Sequence, residues 1–141
     1  MPIVIRPLGD PDVGQVVSLW DATGLTRPWN DPHRDIARAR AVWPELLLVA
    51  ADGDRVVGSV MAGYDGHRGW LYYLATDPER RGEGTGRMLV AEAERRLEAL
   101  GCPKVMLMVR EGNDAVTDFY DAIGYARDAT SVLGKRLIPD A

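Results

Sequence analysis

Apolar positions along the chain follow two periods, and the switches between them mark out the elements. Ile3-Val4-Ile5-Arg6 is a β-branched run closed by Pro7, which predicts a first strand at a sheet edge. Asp10-Pro11 offers an N-cap oxygen and a residue already near helical φ, and Val13, Val16, Val17 and Trp20 follow at helical spacing until Gly24. Asp31-Pro32 repeats that start signal, and Ile36, Ala39 and Trp43 form the stripe of a second short helix ending before Pro44. Residues 46–51 are a continuous apolar run, Asp52-Gly53-Asp54 is a turn, and residues 55–62 resume with Val56, Val57 and Val60, so a β-hairpin is expected. The turn Tyr64-Asp65-Gly66-His67-Arg68-Gly69 then leads to a third strand at residues 70–76.

Beyond Asp77-Pro78 and a basic, glycine-rich turn, residues 86–100 place Leu89, Ala93, Leu97 and Leu100 on one helical face, with Gly101 as the cap. Residues 104–109 form an apolar strand reached through that helix, a crossover that makes the two strands parallel. A last helix at residues 113–123 ends at Gly124, and residues 125–138 leave room for one or two short closing strands. The expected fold class is α/β (α+β): a mixed, mainly antiparallel sheet of six to seven strands with about four helices.

A chain of 141 residues suits one domain with a proper core, here taken as 1–141. A net charge of −4 gives no basic character to attract nucleic acid. Cys102 is the only cysteine, so no internal disulfide can form, and a reducing cytoplasm is the expected location. The N-terminus reaches Arg6 without a long apolar run, so neither a signal peptide nor a membrane partner is expected.

The most informative segment is Glu79-Arg80-Arg81-Gly82-Glu83-Gly84-Thr85-Gly86-Arg87, between a strand and a long amphipathic helix. Alternate glycines let the backbone turn sharply with uncovered N–H groups, and a helix N-terminus adds about half a positive charge, the makings of a diphosphate cradle. Taken by the glycines alone, a solvated basic connection is the equal alternative. A Walker loop is excluded because no Lys-Ser or Lys-Thr occurs, and a dinucleotide fingerprint because the spacing is GxGxG and not GxGxxG.

The same turn fills the pattern (Arg or Gln)-x-x-Gly-x-(Gly or Ala) with Arg81, Gly84 and Gly86, and so resembles the coenzyme A pyrophosphate loop of the GNAT family of N-acetyltransferases. Leu74-Ala75-Thr76 stands where that family pairs strand backbone with the pantetheine arm, and Asn113…Phe119-Tyr120…Gly124-Tyr125 matches its late helix. The resemblance covers nearly the whole chain. Arg27-Pro28-Trp29-Asn30-Asp31-Pro32 and the turn at residues 64–69 are further similar to segments of small bacterial YpeA-like acetyltransferases. The resemblance implies the acyl-CoA N-acyltransferase fold, acetyl-CoA as co-substrate, no metal, and direct transfer of acetyl to a primary amine. It implies a cofactor site of Leu74, Ala75, Thr76, Arg81, Gly82, Glu83, Gly84, Thr85, Gly86, Arg87, Asn113 and Tyr120. Tyr120 is its expected catalytic residue, an acid for the departing thiolate.

Two departures bear on the chemistry. Val116 stands where the family often has Ala, which narrows the slot beside the cofactor, and residues 70–76 contain no carboxylate, although many relatives take a general base from this strand. Tyr73 holding a water, Asp65 and His67 are the alternatives for that role. For the acceptor, Trp29, Asn30 and Asp31 in one loop and Asp65, His67 and Arg68 in another combine the group types of a specificity surface. Asp31 or Asp65 suits an ammonium and Arg27 or Arg68 a carboxylate, so a small amino acid-like amine is expected ahead of a protein N-terminus or lysine. The structural alternatives are that Trp29 only plugs the core, Asp31 only caps its helix, Asp65 only makes its turn, and His67 and His33 are merely solvated. A CoA-binding module without transfer is the rival of a different class, and a homodimer completes the set of partners.

Overall fold

The apolar run at residues 47–51 is a strand covered on both sides: Leu47 and Val49 pack into one hydrophobic layer, Leu48 and Ala50 into another. In the computed structural model, which describes residues 2–140, it is the second of five strands. These are β1 (Val4–Pro7), β2 (Leu47–Asp52), β3 (Arg55–Tyr64), β4 (Gly69–Thr76) and β5 (Val105–Leu107), lying side by side in sequence order. All neighbours are antiparallel except β4 and β5, so the sheet is mixed as the helix-linked pair requires. Helices α1 (Val13–Ala22) and α2 (Pro32–Val42) cover one face through Val16, Leu19, Trp20 and Ile36. The other face is covered by α3 (Thr85–Ala99) and α4 (Asp114–Ala122), through Leu89, Val90, Ala93, Leu97 and Tyr120.

Local signals set most boundaries. Asp31 caps α2, its Oδ1 accepting the N–H groups of His33 at 2.9 Å and Arg34 at 3.3 Å. At the first helix Asp10-Pro11-Asp12 forms a 3-10 turn, and no side-chain N-cap bond is made by Asp10 or by Asp12. The Asp12 carboxylate accepts the Gly9 N–H at 2.8 Å and is gripped by Arg6 of β1 at 2.6 and 3.0 Å, while Asp10 reaches outward to Arg40. Leu100, expected on the buried face, lies past the last turn of α3 and is 41% exposed.

The sheet has five strands and not six or seven, because residues 125–138 contribute none among the described residues. A strand buries alternate positions, but the apolar residues here come as adjacent pairs, Val132-Leu133 and Leu137-Ile138, split by Gly134 and all exposed. Polar contacts hold the segment instead. Asp128 pairs with Lys104, Arg136 donates to Asn30 Oδ1 at 2.7 Å, and Asp140 binds Arg38 at 2.7 Å and the Asp31 N–H at 3.1 Å. The C-terminal segment therefore ends against the start of α2. No helix among the described residues is long and apolar enough to cross a membrane.

Candidate functional site

Strand β4 pairs with β5 only from Gly69 to Leu71, opposite Val105 to Leu107, and from Tyr72 to Thr76 it has no partner on that side. The same stretch is irregular on its other side. Pairing with β3 steps from Met61↔Tyr72 to Ser59↔Ala75, so one residue of β3 faces two of β4. The side chains record the slip: Leu71 and Leu74 both belong to the α3 layer, whereas Tyr73 and Ala75 belong to the α1–α2 layer. Strict alternation would have put Tyr73 with Leu71. Tyr73 has φ +52°, the one positive φ outside glycine among the described residues, and such strain persists only where surroundings over-determine it. Here they do. Trp20 stacks on the Tyr73 ring, Ser59 Oγ donates to the Tyr73 carbonyl at 2.9 Å, and the Tyr73 hydroxyl donates to Asp35 Oδ2 at 2.7 Å.

The glycine-rich turn lies at the far end of this unpaired stretch. Gly84 is the N-cap of α3 with φ +78° and Gly82 has φ +84°, conformations that glycine adopts without cost. Among the described residues no acceptor engages the backbone N–H groups of residues 82–87, and a Cβ on Gly82 or Gly84 would meet nothing within 4 Å. An open set of N–H donors at a helix start fits a pyrophosphate. Arg80 ion-pairs with Asp52 and Glu83, which draws the Glu83 carboxylate into a local pair, whereas Arg81 and Arg87 are exposed. Gly86 joins three segments: a Cβ there would lie 3.6 Å from Thr76 of β4 and 3.5 Å from Phe119 of α4. Leu74, Ala75 and Thr76, the turn, and α4 are thus brought to one place.

On α4, Asn113 is the N-cap, its Oδ1 accepting the Val116 N–H at 3.4 Å, with its amide nitrogen left over. Tyr120 is buried between the edges of Phe119 and Tyr125, and no hydrogen-bond partner for its hydroxyl occurs among the described residues. Burial pushes its phenol up to about 12.

The residues expected for the acceptor divide between the two ends of α2. Trp29 is 50% exposed, so it does not plug the core, and Asn30 and Asp31 meet the C-terminal segment through Arg136 and Asp140. At the other end, Trp43 Nε1 donates to the Tyr64 carbonyl, which puts Asp65, His67 and Arg68 roughly 15 Å away along the helix. Asp65 closes its own turn by accepting the N–H groups of His67 and Arg68, bonds that hold its carboxyl below the usual range. His33 is exposed in the first turn of α2. Asp35 went unnoticed in the sequence because only the bulge in β4 brings Tyr73 to it. The one available signal was negative, a strand with no carboxylate of its own.

Comparisons with known proteins give the family. Residues 16–125 match the acetyltransferase (GNAT) family, and the chain belongs to that family. An acetyltransferase of Yersinia enterocolitica is 49% identical over 136 residues, 96% of either chain. Among solved structures, a chain of the NatC complex bound to Gag peptide and CoA is 26% identical with a TM-score of 0.81, over 91% of this chain and 87% of that one. AAC(6')-Iy in complex with a CoA-containing bisubstrate analogue shares the fold at 15% identity, with a TM-score of 0.79 over 98% of this chain and all of that one. The protein is a GNAT-type acetyltransferase.

Proposed function

We propose that the protein transfers the acetyl group of acetyl-CoA directly to the primary amine of a small, amino acid-like molecule, in a reducing cytoplasm that suits the free Cys102. The observation that carries the reading is the continuity from the unpaired edge of β4 to the free N–H groups of residues 82–87. The edge offers backbone groups to an extended amide-bearing arm, and the turn offers donors to the pyrophosphate. The neutral amine attacks the thioester carbonyl, a backbone N–H of β4 stabilises the oxyanion by about 3 kcal/mol, and Tyr120 protonates the thiolate as it leaves. A small acceptor is favoured by the ties from Arg38 to Asp140 and from Asn30 to Arg136, which draw the C-terminal segment across the start of α2 beside Trp29.

A peptide N-terminus is the second reading, favoured by the similarity to a NatC chain solved with a peptide. The deciding experiment is release of free thiol from acetyl-CoA with a panel of amino acids, polyamines, aminoglycosides and peptides. Turnover with a small zwitterionic amine is expected. Thiol release with peptides alone selects the second reading, and CoA binding with no transfer to any amine leaves a binding module.

A further inference from the structure

The bulge in β4 directs the Tyr73 hydroxyl toward α2, where it donates to Asp35 at 2.7 Å. The strand carries no carboxylate or histidine, and of its two phenols, Tyr72 and Tyr73, only Tyr73 is hydrogen-bonded to a carboxylate among the described residues. Tyr73 stands where β4 parts from β5, which is also where the thioester must lie if the pyrophosphate occupies the turn at residues 82–87.

From this juxtaposition we infer that Tyr73 and Asp35 form a two-member proton relay, Tyr73 as the catalytic residue facing the amine and Asp35 as a positioning residue that receives the proton. The inference rests on the acetyltransfer reading above. As nitrogen bonds to the carbonyl carbon its remaining protons become acidic. One passes to the phenolic oxygen of Tyr73 while the tyrosine's own proton moves to the Asp35 carboxylate. Collapse of the tetrahedral adduct then breaks the carbon–sulfur bond, and the thiolate takes its proton from Tyr120. Asp35, partly open to solvent, returns its proton to the medium, and Tyr120 is reprotonated in turn. Protons and charge balance without another reactant.

The surroundings fit a relay better than an ionised tyrosine. Burial first, and then the bond to Asp35, push the Tyr73 phenol well above its ordinary value, so it holds a proton throughout the neutral range. Its proton is committed to Asp35 and its lone pairs are left to accept from an N–H. The Trp20 ring, 3.8 Å away and nearly parallel, fixes the direction of the hydroxyl. The charged groups facing the pair are Arg38, whose Nη1 lies 3.6 Å from Asp35, and Asp140, which occupies the other side of that guanidinium, with Asp31 beyond. Arg38 lies between the two carboxylates and is shared by Asp35 and Asp140.

The test measures initial rates for wild type, Tyr73→Phe, Asp35→Asn and the double variant, with acetyl-CoA and the amine panel above, alongside coenzyme A affinity and the pH–rate profile. Asp35→Asn keeps an acceptor for the tyrosine hydroxyl and removes only the basicity. The expected result is a loss of kcat of roughly 10²-fold or more in each single variant, with no further loss in the double, unchanged coenzyme A affinity, and a pH–rate profile that still rises as the acceptor amine is neutralised. Asp35→Glu should recover part of the rate. Wild-type turnover in Asp35→Asn, or losses that multiply in the double variant, overturn the relay while leaving the acetyltransferase reading intact. A wild-type protein that binds coenzyme A but acetylates no amine removes that reading and the relay with it.

Discussion

Trp20 and Tyr73 lie face to face, ring centroids 3.8 Å apart and planes within 8°, and both depend on one serine. Ser59 Oγ accepts the indole Nε1–H at 2.8 Å and donates to the Tyr73 carbonyl at 2.9 Å. Trp20 and Ser59 are wholly buried, so Ser59→Ala strands the indole donor away from water and removes the donor to the half-buried Tyr73 carbonyl. Unmade buried hydrogen bonds cost about 1 to 3 kcal/mol. Thermal unfolding should show a clearly lower midpoint for Ser59→Ala, and an unchanged one would mean that neither group needs the hydroxyl.

At the turn proposed to hold the pyrophosphate, Gly84→Asp is expected to weaken coenzyme A binding at least tenfold, about 1.4 kcal/mol, by calorimetry. The φ of +78° and the free space around Gly84 separate two causes. Asparagine tolerates this conformation and carries no charge, so Gly84→Asn should lose less. Equal binding by all three proteins would place the pyrophosphate elsewhere.

Tyr120→Phe should reduce turnover by roughly 10²- to 10⁴-fold and leave coenzyme A affinity nearly unchanged, because only a proton donor is removed. Since burial holds the phenol near 12, Tyr120 keeps its proton below that pH and imposes no alkaline fall through the neutral range. Wild-type turnover should rise with pH as the acceptor amine is neutralised. A fall in rate centred near about pH 10, lost in Tyr120→Phe, would point to a phenol of ordinary acidity.

The C-terminal tie makes a pH prediction of its own. Arg38, and then the Asp31 N–H, lower the Asp140 carboxyl from 3.8 to about 2. A carboxylate lowered in the folded state contributes stability above its unfolded pKa, and that contribution disappears as pH falls through the folded value. The segment should stay docked at neutral pH and release between about pH 4 and 2. Amide exchange across residues 126–140 reports the release, which Asp140→Asn should reproduce at pH 7. Equal protection in that variant would mean that the Arg38 contact does not hold the segment.

The sequence settled whatever depends on near neighbours in the chain. Asp31-Pro32 starts α2, Gly53 and Gly101 close their turns, and the apolar stripe of α3 at Leu89, Ala93 and Leu97 faces the sheet, because caps, turns and periodicity act within a few residues. The glycine-rich turn before α3 was equally legible, since positive φ at Gly82 and Gly84 is a local property of glycine. What the sequence could not supply are relationships set by register. One extra residue in β4 moves Tyr73 from the α3 side of the sheet to the α2 side, and no local preference signals that slip. Asp10 pairs with Arg40 and does not cap the first helix, and residues 125–138 made no strand because their apolar pairs match no alternating face. Tertiary structure alone decided that Asp35 meets Tyr73, since contacts between distant segments follow from how two layers seat on a bulged sheet and not from the residues on either side of each partner.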